Sequence, residues 1–449
     1  MKGWSAERVA AAAGARLVAE PPSSSGGGPR RVVIDSRALA PGDLFVGLSG
    51  ANTHGGRFLE DAVAGGAWGV LGGPADLARV GASSSAVLLA AEDPLRALGM
   101  LARAWRRELD AKVVAITGST GKTSTKDILA ALLAPALATI ASPLNENTEI
   151  GVPLAILAAP PGTQALVLEL AMRGSGQIAE LTAICEPDVG VIVNVGPAHL
   201  ELLGSLEAVA AAKGELIAGL AAGATAVVPA REPLLDPFLR EDLEIVRFGE
   251  GGEVTVLAAG PEGVLVALGD QHVTLEPGFR AAHLLEDLCA ALGASRALGV
   301  LPGPSLEVAF SALRGERLSL ADGVVVVNDC YNANPMSMRA ALAELALTVP
   351  GRRVAVLGDM LELGPRDEQR YHRELGEQAQ AAGVALLVTV GPRAVWAGKS
   401  FRGGERVTRV QVLAAASLLR ERLEPGDTVL VKGSRGVALE QVAEELERR

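Results

Sequence analysis

The stretch VVAITGSTGKTSTKDILAALLA, Val113 to Ala134, decides how this chain reads. An apolar run, a glycine-framed turn and an alanine- and leucine-rich run follow one another in the order strand, loop, helix. The common phosphate-loop pattern, G-x-x-x-x-G-K-[ST], has a glycine five positions before its second glycine. Here that position is Ile116 and the glycine is Gly118, giving a tighter G-x-x-G-K-T. Gly118 and Gly121 let the backbone turn sharply and aim N–H groups at an anion, and the helix that follows adds the positive end of its dipole. Lys122 would neutralise terminal phosphate charge and the Thr123 hydroxyl could bind Mg2+. A glycine-rich turn alone is common. The three parts arriving in order predict a phosphate site, and the short spacing separates it from the usual GTPases and ATPases.

Outward from that loop, apolar runs alternate with long helical stretches. KVVAIT (Lys112–Thr117), ALVLEL (Ala165–Leu170) and VGVIVNV (Val189–Val195) read as strands buried on both faces of a parallel sheet. Residues 225–278 are shorter and more alternating, which predicts a small antiparallel patch, and a helix is expected near Ala281–Leu298. LRGERLSLADG (Leu313–Gly323) reads as a domain junction, after which strand–helix alternation restarts at VVVVND, RVAVLGD, ALLVTVG and TVLVKGS. Before the loop, short strand-like runs (Arg30–Arg37, Gly42–Leu48) lie between glycine-rich turns. Asp93 and Pro94 then open a helix whose arginines come late, where they suit the dipole. The prediction is three α/β domains in series, 1–110, 111–313 and 314–449.

In open α/β sheets, ligands sit at the carboxyl ends of the strands. Glu169 ends one such strand beside the loop and is placed to hold a metal. His199 lies just beyond the third strand, where a site residue and a structural histidine are equally plausible readings. Asn145, Asn147 and Thr148, in SPLNENTEIGVP, read alone as a hydrogen-bonded turn. Lys213, late in an alanine-rich helix, reads on its own as a solvated surface lysine.

Composition narrows the function further. Of 449 residues 49% are hydrophobic and 21% charged, a globular balance for two or three domains. Aromatics at 3% argue against a base-stacking platform, and a net charge of −11 against a nucleic-acid or anionic-membrane surface. Cys185, Cys289 and Cys330 show no C-x-x-C spacing, so neither a zinc knuckle nor a disulfide scaffold is expected. No apolar run reaches the roughly 20 residues of a spanning helix, and Glu7 and Arg8 interrupt the N-terminal apolar segment. A cytoplasmic protein without membrane insertion is expected.

Together these segments resemble the Mur ligase family, along nearly the whole chain. The resemblance is carried by TGSTGKTS, NENTEIGVP, NVGPAHLELLGSLEAVAAAKGELI, NDCYNANPMSMRAAL, LGDMLELG, VKGSRG and, near the start, IDSRALAPGDLFVGLSG. It implies a UDP-sugar-peptide-binding first domain, a central P-loop-type parallel-sheet ATPase domain and a C-terminal Rossmann-like domain. The implied activity is ATP-dependent joining of D-Ala-D-Ala to UDP-MurNAc-tripeptide through an acyl phosphate, by a protein acting as a monomer. YNANP favours this over the related addition of a third amino acid to UDP-MurNAc-dipeptide. A non-catalytic nucleotide-binding regulator is the remaining alternative.

Residue by residue, the resemblance implies that Thr117, Gly118, Ser119, Thr120, Gly121, Lys122, Thr123 and Ser124 hold ATP phosphates. Thr123 and Glu169 would bind one Mg2+, and His199 and a carbamylated Lys213 a second. Arg317, Asp329, Tyr331 and Asn332 would reach the nucleotide from the C-terminal side. Asp35, Ser36 and Arg37, with Asn145, Asn147 and Thr148, would contact the UDP-sugar-peptide. Three positions depart from the pattern: Ala171 replaces a glycine, and Ala282 and Asp287 replace an arginine and an asparagine, the last expected at the adenine. NTHGGRF (Asn52–Phe58) is also an altered form of D-G-H-D-F.

Overall fold

A strand buried on both faces has to be apolar throughout, and Lys112–Thr117 is buried at every position after its first. It lies inside a nine-stranded sheet, flanked by Ala165–Glu169 and Val189–Ile192, all parallel. The computed structural model describes residues 1, 3–21, 27–50, 53–81, 84–143, 146–320, 322–348 and 351–448. Three sheets of five, nine and six strands follow one another along the chain, as the alternation of apolar runs predicts.

In the central sheet the strand order from one edge is Gln271–Leu275, Gly263–Leu268, Val254–Gly260, Glu244–Phe248, Thr225–Pro229, Val189–Ile192, Lys112–Thr117, Ala165–Glu169, Thr139–Ala141. The antiparallel patch expected over 225–278 is only half right. Thr225–Pro229 and Glu244–Phe248 extend the parallel sheet, and only the last three strands form the meander. Glu244–Phe248 misleads because it alternates exposed and buried residues although its hydrogen bonding is parallel, and Thr225–Pro229 is too short to show its direction.

The first sheet is parallel except for Arg16–Ala19, which pairs antiparallel with Val87–Ala90. The helix Pro94–Leu109 starts as the sequence predicts, with the Asp93 carboxylate accepting from the N–H groups of Leu95 and Arg96. Its apolar face does not stay within the first domain. Trp105 donates to the Ala159 carbonyl at 3.0 Å, and the Arg106 guanidinium caps Cys185 and Glu186 carbonyls beyond the helix Gln177–Cys185. One continuous apolar core therefore runs from Val9 and Leu98 through Val113 and Ile156 to Leu216.

The third sheet has the order Glu316–Ser319, Val325–Asn328, Thr428–Lys432, Arg353–Gly358, Val384–Val390, Glu405–Val410, with only the first strand antiparallel. Its two faces are covered by separate apolar clusters, one around Leu342, Leu357 and Phe401, the other around Val354, Leu419 and Val442. All three cysteines are buried and unpaired. Among the described residues no helix is long and apolar enough to cross a membrane.

Candidate active site

Register places the site. Ile116 pairs with Glu169 and Thr117 with Ile192, so the phosphate-type loop, Glu169 and the segment after Ile192 meet at one rim of the sheet. Gly121 caps the helix Lys122–Leu133 at φ +75°, a left-handed conformation that favours glycine, and a Cβ there would lie 2.2 Å from an Asp287 carboxylate oxygen. The loop is braced by Asn194, which sequence reading did not single out. Its Oδ1 accepts from the N–H groups of Ser119 and Thr120, both at 3.0 Å, and its Nδ2 donates to Thr120 Oγ1. Ser119 Oγ exchanges hydrogen bonds with Gly196. The signal was present in NVGPAH, but an asparagine after a strand is too ordinary to stand out without the fold.

Lys122 Nζ donates to the Gly118 carbonyl at 2.9 Å. Burial pushes its ammonium below the ordinary lysine value. The Glu169 carboxylate opposes that shift and the Arg314 guanidinium adds to it. Thr123 Oγ1 donates to Glu169 Oε2 at 2.8 Å, and Asn147 Nδ2 holds the other oxygen at 2.9 Å. The Asn147 carbonyl in turn accepts from Ala171 N–H, and Ser142 Oγ accepts from Glu169 N–H, so the loop after Thr139–Ala141 wraps the carboxylate. Thr148 is exposed and accepts weakly from Gly151 at the start of the next helix; Asn145 and Asn52 lie outside the described residues. Thr117 lies buried at the strand end, and Ser124 is half-buried in the first turn of the loop helix.

Lys213 corrects its reading as a surface lysine. It lies within the helix Leu206–Ala218 and is only 1% exposed. No ion pair to it forms among the described residues. Burial and then the nearby Lys122 push its ammonium well below the ordinary value. A helix of alanines gives no clue to which face is inside, so periodicity could not reveal it. His199, in a left-handed conformation at φ +57°, turns away to the C-terminal domain, where Nδ1 meets Glu362 Oε2 at 2.6 Å. That contact lowers the Glu362 carboxyl below its usual range.

From the C-terminal side, Arg314 reaches the loop. Its Nη2 donates to Thr123 Oγ1 at 3.0 Å and its guanidinium lies 3.9 Å over the Tyr331 ring. Arg317 instead lies on the strand Glu316–Ser319, half-exposed and 3.6 Å from Glu344. Asp329 pairs with the buried Lys432 at 2.6 Å, and the same ammonium donates to the Asn332 carbonyl. Asn334 Nδ2 donates to the Ser119 carbonyl across the domain boundary. Close packing there also explains Gly196, where a Cβ would collide with Met336.

Asp287, on the helix Ala282–Ala297, is buried beside Gly121, and burial with the neighbouring Glu286 pushes its carboxyl well up. In the first domain Asp35 is engaged by Arg37 itself, at 2.7 Å, which holds the carboxyl at about 2; Ser36 begins the short turn between them.

The rim thus sets Lys122 beside the Glu169 carboxylate, with Arg314 on Thr123 and Lys213 near Lys122, a local excess of positive charge in an acidic chain. Hard oxygen donors at Thr123 and Glu169, 2.8 Å apart, fit a magnesium-type ion. Among the described residues no cluster of three or more His, Cys, Asp or Glu side chains could hold a metal alone. A second ion near Lys213 fits only if that amine becomes an anion.

Residues 116–294 match the Mur ligase middle domain and residues 313–435 the Mur ligase glutamate ligase domain. The UDP-N-acetylmuramoyl-tripeptide–D-alanyl-D-alanine ligase of Mycobacterium tuberculosis is 36% identical over 92% of this chain and 91% of its own. The Escherichia coli protein of that name is 33% identical over 93% of each. A MurF crystal structure from Acinetobacter baumannii superposes with a TM-score of 0.85 at 27% identity, covering all of both chains. MurF from Thermotoga maritima in complex with ADP gives 0.81 at 32%, over 93% of this chain and 97% of that one. A shared fold, two family models matched in order along the chain and relatives above 30% identity over nearly its whole length lead to one conclusion: this chain belongs to the Mur ligase family.

Proposed function

We propose that this protein is an ATP-dependent ligase that joins D-Ala-D-Ala to UDP-MurNAc-tripeptide in peptidoglycan precursor synthesis, forming ADP and phosphate. The observation that carries the reading is the Lys122–Thr123–Glu169 constellation at the rim of the central sheet, with Asn147 orienting the carboxylate. A carboxylate is a poor electrophile and will not condense with an amine in water. Phosphoryl transfer activates it: a carboxylate oxygen of the tripeptide attacks the γ-phosphorus and the β–γ bridging bond breaks, releasing ADP. The dipeptide amine then attacks the acyl carbon, phosphate leaves, and the amine gives up its proton.

In this reading the loop amides and Lys122 bind the phosphates, and Lys122 follows the charge that develops on the transferring group. Thr123 and Glu169 hold Mg2+, which would neutralise phosphate charge when bound. Lys213, buried and inclined to the neutral amine, is suited to react with carbon dioxide. Its nitrogen bonds to carbon and loses a proton, giving a carbamate that with His199 would hold a second Mg2+. Asp329, Tyr331, Asn332 and Arg317 serve the nucleotide from the C-terminal domain, and Asp35, Ser36 and Arg37 the UDP-sugar. The proposed reaction is cytoplasmic, and the proposed active form is a monomer.

The test is phosphate release from ATP by the purified protein with UDP-MurNAc-tripeptide, with and without D-Ala-D-Ala. Release that depends on the dipeptide, with the pentapeptide product confirmed by mass, is expected. Release only with UDP-MurNAc-dipeptide and diaminopimelate would move the activity one step earlier. Lys122→Ala should lower turnover by about 100-fold or more, and unimpaired turnover would refute the role given to the loop.

A further inference from the structure

The segment between the central and C-terminal domains lies along one face of the loop helix. Ser311 N–H and Oγ meet the Asp127 carboxylate at 2.8 and 3.3 Å, and one helical turn earlier Arg314 meets Thr123. Between and beyond these contacts the backbone is unusual. Leu313 sits at φ +61°, a conformation disfavoured for a leucine, and Gly315 at φ +70°. The two left-handed residues bracket Arg314 and aim it inward, while Tyr331 N–H donates to the Leu313 carbonyl and the tyrosine ring supports the guanidinium. Strain of this kind persists only where surrounding contacts enforce it.

The Thr123 hydroxyl has one proton, given to Glu169 Oε2, and it accepts from Arg314 Nη2. A divalent cation on Thr123 and Glu169 would displace that proton arrangement and meet a guanidinium at contact distance. The two cations exclude one another.

We propose that Arg314 is a positioning residue that occupies the Thr123 hydroxyl, one of the two magnesium-binding groups, in place of the ion, so that metal entry and withdrawal of Arg314 are one event. The inference rests on the reading of Thr123 and Glu169 as metal ligands. Ser311–Asp127 is then the fixed anchor, and the 312–315 turn relaxes when the metal arrives. Nucleotide loading is thereby reported to the start of the C-terminal domain, because Leu313 is tied to Tyr331.

The experiment is Mn2+ binding to the full-length protein, followed by electron paramagnetic resonance of free Mn2+, with and without ADP. The proteins are wild type, Arg314→Ala, Arg314→Gln and Thr123→Val. Removing the competing charge should tighten Mn2+ binding without nucleotide by about tenfold or more, in a manner lost when Thr123→Val is added. Arg314→Gln keeps a hydrogen-bond donor without the charge and carries the test should the alanine variant fail to fold. Equal Mn2+ affinity in wild type and both Arg314 variants, with Thr123-dependent binding intact, overturns the proposal alone. Loss of metal-free ADP affinity in those variants at unchanged Mn2+ affinity would make Arg314 a plain phosphate ligand. Absence of any Thr123-dependent Mn2+ binding, even with ADP, defeats the metal assignment itself.

Discussion

Asp287 shows what one residue changes at this site. A carboxyl buried beside Gly121 and next to Glu286 favours its neutral form, and a neutral carboxyl offers one donor and one acceptor, much as an asparagine amide does. The departure from the family's asparagine is therefore smaller chemically than it looks in sequence. It has a pH signature. The folded state keeps a proton that the unfolded state loses above about pH 4, so stability falls as pH rises from there through the raised folded value. Asp287→Asn removes that loss, and its melting temperature should exceed the wild type's by more at pH 8 than at pH 5. A constant gap would mean that Asp287 is ionised in the fold. At this scale the sequence was readable wherever a side chain's role follows from its neighbours in the chain: Lys122, Thr123 and Glu169 stand where the strand–loop–helix order put them. It was unreadable for Lys213 and Arg314, whose roles depend on which helix face is inside and on where a linker folds back.

Among the elements, the phosphate-type loop is held less by its own glycines than by a neighbouring strand end. Two of its amides are accepted by one Asn194 oxygen. Asn194→Ala leaves both partly buried N–H groups without that acceptor, at a cost of about 1–3 kcal/mol. Thermal melting should fall accordingly, and saturating ADP should recover more stability in the variant than in wild type, because phosphate oxygens would satisfy the same amides. Equal ADP stabilisation would show that the nucleotide does not use them. The helices and apolar strands of the central sheet were legible because burial on both faces forces a continuous apolar run. The parallel pairing of Thr225–Pro229 with Glu244–Phe248 was not, since runs this short do not show which way a strand runs.

Across the whole molecule, polar contacts between the central and C-terminal domains among the described residues include His199 with Glu362, Glu201 N–H with the Glu362 carbonyl, Asn334 with Ser119 and Arg314 with Thr123. Glu362→Gln should loosen that seam. A side-chain contact this exposed is worth no more than about 1 kcal/mol, so the expected change is a modest broadening of the distance between dyes placed on the two domains, not unfolding. Because the Glu362 carboxyl is held below its usual range, its share of the seam is present above pH 4 to 5 and is lost as pH falls through the lowered value. An unchanged distance distribution at pH 7 would assign the arrangement to the remaining contacts. Three domains could be read from the repeated alternation of runs, but which of them share a core could not, because that depends on the direction the Pro94–Leu109 helix faces.

That helix bears on how the chain is made. Its apolar face, with Leu98, Leu101 and Trp105, meets Trp4 within the first domain but shares its core with Ile156, Ile178 and Leu181, which leave the ribosome about fifty to seventy residues later. A nascent chain that has just completed the first domain thus carries a greasy, only partly covered helix, the sort of surface on which chaperones settle. Release from such a helper should come once the helix Gln177–Cys185 and the strand Val189–Ile192 have formed, well before the C-terminal third exists. Fragments ending near residue 110 should clump, whereas those ending near residue 312 should stay dispersed.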